Sequence, residues 1–344
     1  MIAVHKLLAL YCLASMFAIT CNTPKAVPAD NGNSSTGNNK KHTGTIPPGT
    51  TGVTHFGAMI VPPNPGTSDV VNFKEKVAHQ LNIQYLRDGI NLDMPKAHTL
   101  LESNFKIVLN INSTAPSMGK HAPFPTDTVA YKRKLSELIA SFPKKPVLIV
   151  IENEANNQGY YAAPARDYIN LLRAAIGVVH SYNIPVTDAG TTGAAIKYLL
   201  YQHYIQNGKQ QQAEALKRRQ KVNSSPNIIA SAVFADSVLT ALRTLPVDYV
   251  NLHWYQNTTD TQDMEAAVNY LKQRTGKVVI SNEMGQSDKP DPNVVAAMLK
   301  KCKQLQLPYV LWYSGNSTTG ARARALHTNT GTLDLNGQAF KKSL

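Results

Sequence analysis

The 344 residues include only three cysteines, Cys12, Cys21 and Cys302. The first two lie near the amino terminus, which leaves Cys302 alone in the rest. Neither an intrachain disulfide nor a cysteine metal site is expected. Cys302 sits in a helical pattern and reads as a small core or boundary residue. Histidines are scattered with no His-Glu-x-x-His pattern, and no glycine-rich phosphate loop is present. Zinc and nucleotide chemistry of those kinds are therefore not expected, and the expected cofactor is none. Acidic residues are few: 22 Asp and Glu stand against 35 Lys and Arg, a formal charge of +13. Such a balance raises nucleic acid as a partner. The basic residues are spread over helical patterns and are not interleaved with aromatics, so no nucleic-acid partner is expected. A solvated basic surface is the plainer reading, and attraction to acidic glycans or to an anionic cell surface a weaker one. No repeat of fixed period is visible.

The apolar run 7–19 is too short to span a bilayer, and His5 and Lys6 precede it. It reads as an export signal. It ends in Ala18-Ile19-Thr20-Cys21, which resembles the lipobox of bacterial lipoproteins, with Ala18 where Leu is usual and Thr20 where Gly or Ala is usual. Lipidation of Cys21 would anchor an exported protein in the membrane, at the cell surface or in the periplasm. The alternative is an ordinary cleaved signal and a secreted chain. Residues 22–50 are rich in Pro, Gly, Asn, Ser and Thr. They cannot bury enough apolar area to offset chain entropy and are expected to form a flexible tether. The organisation expected is thus a signal over 1–21, a linker over 22–50 and one catalytic domain over 51–344.

That domain has ordinary globular composition, 43% hydrophobic and 17% charged over the chain. Strand patterns fall at 53–60, 83–88, 105–111, 147–151, 185–190, 247–253, 277–283 and 308–313. Helical patterns fall between them, at 69–81, 94–103, 126–141, 162–182, 262–274 and 293–305, with a closing one at 333–344. The stretch 194–244 is longer than one barrel helix requires, and its very polar part, 210–221, reads as an exposed excursion. Eight strands alternating with helices argue for a parallel sheet closed into a single (β/α)8 TIM barrel.

Two strands carry the chemistry. Val147-Leu148-Ile149-Val150-Ile151 is apolar and mostly β-branched, then turns into Glu152-Asn153-Glu154-Ala155-Asn156-Asn157. Such a run reads as a strand buried on both faces. Acids at its end lie at the carboxyl edge of the barrel, where active sites of this architecture sit. Lys277-Val278-Val279-Ile280-Ser281-Asn282-Glu283 has the same form. Glu154 and Glu283 can then face each other across the mouth, about 5 Å apart if the mechanism is retaining. Paired carboxylates are what glycoside hydrolysis needs. Glu152, two residues before Glu154, would project to the same side of an unbroken strand.

On these residues the chain, over about 52–344, resembles the clan A glycoside hydrolases, retaining enzymes built on (β/α)8 barrels. In that clan an acid/base Glu preceded by Asn ends the fourth strand, and Asn153-Glu154 matches. The nucleophile Glu ends the seventh strand, and Glu283 matches. An Arg ends the second strand, as Arg87 does. A His-x-Tyr lies on the sixth, as His253-Trp254-Tyr255 does. An aromatic platform lies on the eighth, where Trp312 stands. The tail Thr332-Leu333-Asp334-Leu335-Asn336-Gly337-Gln338-Ala339-Phe340 is similar to the clan's usual ending. One departure is Ala155, where Pro often follows the acid/base. The resemblance implies that Glu154 protonates the leaving oxygen and Glu283 attacks the anomeric carbon. Arg87 and the Tyr255 hydroxyl would hold the nucleophile's charge, Asn153 would bond the sugar 2-hydroxyl, and Trp312 would offer its face to the sugar. His253 and Trp254 are further candidates for substrate contact.

The bland reading pairs Arg87 with its neighbour Asp88 and places Trp312 and Tyr255 in the barrel core. The expected function is retaining hydrolysis of a β-linked poly- or oligosaccharide by a monomer. The alternatives are a barrel that binds glycan without cleaving it and a basic surface-adhesion lipoprotein.

Overall fold

Apolar β-branched runs such as Leu148–Ile151 satisfy both faces of a strand only when covered on both sides. The computed structural model, which describes residues 52–63, 69–94, 100–315 and 322–344, arranges this strand and seven others as a closed parallel barrel in chain order. They are β1 (His55–Ile60), β2 (Tyr85–Asn91), β3 (Lys106–Asn112), β4 (Leu148–Ile151), β5 (Val186–Thr187), β6 (Tyr249–Tyr255), β7 (Val278–Gly285) and β8 (Tyr309–Ser314). The export signal, Cys21 and the tether 22–50 lie outside the described residues. No helix among the described residues is long and apolar enough to cross a membrane.

Around the barrel run α1 (Val70–Leu81), α2 (Thr128–Ala140), α3 (Ala165–Ser181), α4 (Gly193–Gln206), α5 (Gln210–Gln220), α6 (Pro226–Leu242), α7 (Gln262–Thr275), α8 (Pro292–Gln304) and α9 (Leu335–Ser343). Their starts follow capping chemistry. Asp127 accepts from the Val129 and Ala130 N–H groups, Asp291 from Asn293 with Pro292 at the first helical position, and Asp334 from Gly337. The helix expected over 94–103 falls in part on 95–99, outside the described residues. Leu100 and Leu101 beyond them are buried in a turn, and the Leu100 N–H donates to Asp88.

Period-two alternation sorts the strands into two layers. Ile107, Leu109 and Ile111 of β3, Ile149 and Ile151 of β4 and Trp312 of β8 pack outward with the helices. Val108, Leu148, Val150, Tyr249, Ile280 and Leu311 form a separate cluster within the barrel. Below it His55, Tyr85, Tyr249 and Tyr309 pack ring against ring. This interior is solid, so ligands can enter only from an end. Cys302 is buried in α8 with its Sγ 3.8 Å from the Met284 sulfur.

The polar stretch 210–221 is exposed along most of its length, as expected, but it is regular. It forms α5, whose Ala213 and Leu216 are fully buried. Its last turn is tied to buried Asp263 of α7, which accepts from Arg219 at 3.0 and 2.6 Å and from Gln220 at 2.9 Å. Two apolar positions three residues apart share one face of a helix, and the polar composition masks them.

Candidate active site

The end of β4 turns sharply. Glu152 and Glu154 both adopt left-handed backbone, with φ of 67° and 47°, a conformation that costs energy for residues other than Gly and clusters at functional sites. The strand therefore stops at Ile151 and the same-side rule for residues two apart no longer holds. Glu152 turns away from the barrel mouth. Its carboxylate accepts from the Ser113 N–H at 2.8 Å and from the Tyr161 hydroxyl at 2.9 Å. Asn153 and Glu154 are left facing the mouth. Glu154 Oε2 accepts from Asn157 at 3.0 Å, and the Glu154 N–H donates to the Ala189 carbonyl at 2.9 Å.

Burial raises the Glu152 carboxyl to about 7, although its bonds from Ser113 and Tyr161 oppose the rise. This makes a stability prediction. Below about pH 4.5 the group is neutral in both states. Between there and about pH 7 only the unfolded chain releases the proton, so stability falls as pH rises, by roughly 3 kcal/mol in all. Glu152→Gln should abolish that slope. Urea midpoints of the two proteins at pH 4.5 and pH 8 check it, and a difference that does not change with pH overturns it.

On β7 a bulge does the aiming. Asn251 pairs with Ile280, but His253 pairs with Glu283, so β7 carries an extra residue between the two pairs. The Ser281 hydroxyl caps the irregularity by donating to the Leu252 carbonyl at 2.6 Å. Bulges of this kind re-aim side chains next to active sites. Here it brings Glu283 level with His253 at the mouth. Arg87 of β2 donates to one Glu283 oxygen and Tyr255 of β6 donates to the other at 2.5 Å. Burial alone would push the Glu283 carboxyl up. The charges of His253 and Arg87 and the Tyr255 hydrogen bond outweigh it and hold the group well below the usual carboxylate range. Arg87 is thus not paired with Asp88, whose partner is Lys74 at 2.9 Å.

A buried amide chain fixes how these groups are protonated. Arg87 Nε, a donor only, bonds Asn110 Oδ1 at 2.9 Å, so that atom is an acceptor. It also accepts from Asn282 Nδ2 at 3.0 Å, which turns Asn282 Oδ1 toward His253 Nε2 at 2.8 Å. His253 Nε2 must therefore carry a hydrogen. The other ring nitrogen, Nδ1, faces Glu154 Oε1 at 3.0 Å. Burial works against charge on His253, yet Glu283 and Glu154 outweigh it and its pKa is raised. Gly190 makes room for this ring: with φ of 82°, a Cβ there would lie 2.3 Å from His253 Nε2.

Glu154, Glu283, Arg87, Asn153 and Tyr255 all line one concavity of about 480 Å³ at the barrel mouth. Arg87 Nη2 donates to Asn153 Oδ1 at 2.5 Å, which leaves the Asn153 amide N–H group for a ligand. His253 does not line the concavity. It is fully buried behind Glu154 and acts on the carboxylates, not on a substrate. Trp312 is a correction. It is fully buried on the outer face of β8, its indole N–H donates to the Arg324 carbonyl at 2.8 Å, and its ring meets Phe340 of α9 edge-on. No face of it reaches the mouth. The alternation Tyr309, Leu311, Tyr313 brings Tyr313 inward instead, and Tyr313 lines the concavity with Tyr160, Asn157 and Arg324. The Arg324 guanidinium lies over the rings of Tyr255 and Tyr313, at 4.8 and 5.1 Å. A larger groove of about 780 Å³ between α2 and α3 offers one carboxylate, Asp167, and no paired acid.

Glu154, His253 and Glu283 each bring a donor atom within 4.8 Å of the others. As a metal site the set fits poorly. Both Glu283 oxygens and both His253 nitrogens already have protein partners, and the Arg87 cation occupies the place beside Glu283 that a metal would need. The same spacing suits two carboxylates working on one bond.

No protein-family model and no curated protein sequence matches the chain. Solved structures do. A GH128 (subgroup II) endo-β-1,3-glucanase from Sorangium cellulosum is 13% identical at a TM-score of 0.52, over 84% of this chain and 98% of that one. A GH128 (subgroup I) endo-β-1,3-glucanase from Amycolatopsis mediterranei, in complex with laminarihexaose, is 13% identical at 0.51, over 84% and 99%. A β-1,3-glucanosyltransferase from Rhizomucor miehei, in complex with laminaritriose, is 10% identical at 0.51, over 81% and 95%. At such identities the likeness establishes that the chain shares the eight-stranded parallel barrel of these proteins.

Proposed function

We propose that this protein is a retaining β-glycoside hydrolase of the clan A type, with Glu154 as acid/base and Glu283 as nucleophile. The observation that carries the reading is the approach of the two carboxylates at the barrel mouth, with oxygens within 4.8 Å of each other. Retaining enzymes hold their carboxyl groups about 5–5.5 Å apart, whereas inverting enzymes need about 6.5–9.5 Å to admit a water. Glu283 is kept ionised by Arg87, His253 and Tyr255 and attacks the anomeric carbon. The bond to the leaving oxygen breaks as Glu154 delivers its proton to that oxygen, which leaves Glu154 ionised 3.0 Å from His253 Nδ1. Glu154 then takes a proton from water, and the water oxygen displaces Glu283. Asn153, its carbonyl held by Arg87, presents N–H to the 2-hydroxyl, a contact that strengthens in the transition state.

Two of the structural neighbours are described as endo-β-1,3-glucanases and the third as a β-1,3-glucanosyltransferase. This makes a β-linked glucan the first substrate to test. Export, anchoring through Cys21 and a free tether over 22–50 belong to the same proposal, since a polysaccharide is met outside the cell. The test is hydrolysis of laminarin, mixed-linkage glucan, xylan and mannan, followed by proton NMR from the first minutes. The β-anomer should appear first and mutarotate later. Initial α-anomer overturns retention, and no hydrolysis of any substrate in the panel overturns the enzyme.

A further inference from the structure

The concavity that holds Glu283 meets a second one, of about 400 Å³, at Glu154. Glu154, Asn157, Tyr255 and Arg324 line both, whereas Glu283, Arg87 and Asn153 line only the first. On the reading of Glu154 and Glu283 given above, the sugar being transferred lies against the nucleophile and the leaving sugar departs past the acid. The second concavity is therefore the leaving-group side. Its outer wall comes from the long segment between β5 and β6: Gly193 and Lys197 of α4, Lys221 and Asn223 after α5, and Ile228 of α6. This gives that insertion a role.

The wall is basic. Lys197, Lys221 and Arg324 line it, and Glu154 is its only carboxylate among the described residues. Tyr255 is its only aromatic ring among the described residues, so stacking on a sugar face has little to work with. Lys197 is largely buried, with Nζ 2.7 Å from the Tyr255 carbonyl and 4.9 Å from the Trp254 ring centre. Burial pushes its ammonium down to about 8 against the pull of Asp263 and Asp288, and a further anion would relieve that cost. Arg324 Nε is buried without an acceptor among the described residues. Lys221 is exposed, 3.5 Å from an exposed Asp288. Such a pair is weak and can yield to a ligand.

We propose that the leaving-group side, walled by Lys197, Lys221 and Arg324, binds a sugar that carries an anionic substituent, a uronic carboxylate or a sulfate.

The test uses acceptors, which enter the leaving-group side and intercept the glycosyl-enzyme. Wild-type protein turns over an activated aryl β-glycoside in the presence of methyl β-glucoside, methyl β-glucuronide or methyl β-glucoside 6-sulfate, and transfer products are quantified. The glucuronide should reach half its effect at about tenfold lower concentration than the neutral glycoside, the gain expected of one charge-assisted hydrogen bond. That gain should shrink in high salt, disappear in Lys221→Ala and return in Lys221→Arg. Transfer to the sulfate as well would assign the site to negative charge in general, and transfer to the glucuronide alone would assign it to a carboxylate. Equal or better transfer to the neutral acceptor overturns the proposal. If no aryl glycoside is turned over, it is the catalytic reading that fails. The anion site is then read by ligand-observed NMR, in which methyl β-glucuronide should bind wild type and not Lys221→Ala, and an absence of binding overturns it.

Discussion

On the proposed assignment, Glu283→Ala should remove turnover of every β-glycoside, by about 10⁴-fold or more, because no other group near the anomeric carbon can attack it. Arg87 and Tyr255 have their hydrogen bonds already directed at the Glu283 oxygens, and neither is a nucleophile there. The same substitution also strains the fold. It leaves Arg87, 5% exposed, and the fully buried His253 facing each other without the carboxylate between them, and an uncompensated buried charge costs about 3–5 kcal/mol. Glu283→Gln separates the two effects. Its amide oxygen still accepts from Arg87 and its shape is unchanged, so Glu283→Gln should lose less stability than Glu283→Ala, keeping the deficit that comes from the missing charge, while activity is lost as fully. The stabilising pair has a pH signature. Because the folded carboxyl is held below its ordinary range, the contribution is present above about pH 4.5 and is lost as pH falls through the lowered folded value. The deficit of Glu283→Ala should therefore narrow in acid. Single-turnover assays and urea melts of both variants check this. Glu283→Gln with more than a few per cent of wild-type activity would remove Glu283 from the nucleophile's role.

How far this site could be read in the sequence depends on which physical rule was in play. Hydrophobic runs ending in acids identify strands because burial on both faces leaves no other place for such residues. Hence Glu154, Glu283, Arg87 and Tyr255 converge as the spacing suggests. Trp312 misleads because residue type says nothing about which face of a strand a residue occupies. Leu311 points into the barrel, so its neighbour Trp312 points out, and Tyr313 is the β8 aromatic that lines the concavity. Glu152 could not be separated from Glu154 by alternation, because two left-handed residues interrupt the strand and neither is Gly. The His253 tautomer follows from four side chains on different strands, Arg87, Asn110, Asn282 and His253. Nothing local in the sequence encodes such a chain. Arg324 reaches the mouth from beyond β8 through stacking on two tyrosines, a contact with no sequence period. The polar face of α5 hid Ala213 and Leu216, since two buried residues in eleven give little periodic signal.

Glu154→Ala should behave unlike Glu283→Ala, and the contrast assigns the roles. On the proposed reading, the first task of Glu154 is to protonate the leaving oxygen. A dinitrophenyl leaving group needs little such help, so formation of the glycosyl-enzyme survives, whereas a glucan substrate, with a poor leaving group, loses about 10²–10⁴-fold. The second task is to deprotonate water, and without it the glycosyl-enzyme accumulates and turnover stalls after a burst. Azide needs no general base. The side-chain space vacated by Glu154 lies beside Asn157 and His253, and His253 offers a positive neighbour for the anion. Added azide should restore turnover of the activated substrate and release β-glycosyl azide. In Glu283→Ala, azide should attack from the vacated nucleophile side and give the α-azide or nothing. A β-azide from Glu283→Ala and none from Glu154→Ala would show the roles to be exchanged. Rescue in Glu152→Ala instead would place the acid at a residue that the structure turns toward Ser113 and Tyr161, and the geometry at the end of β4 would then be wrong.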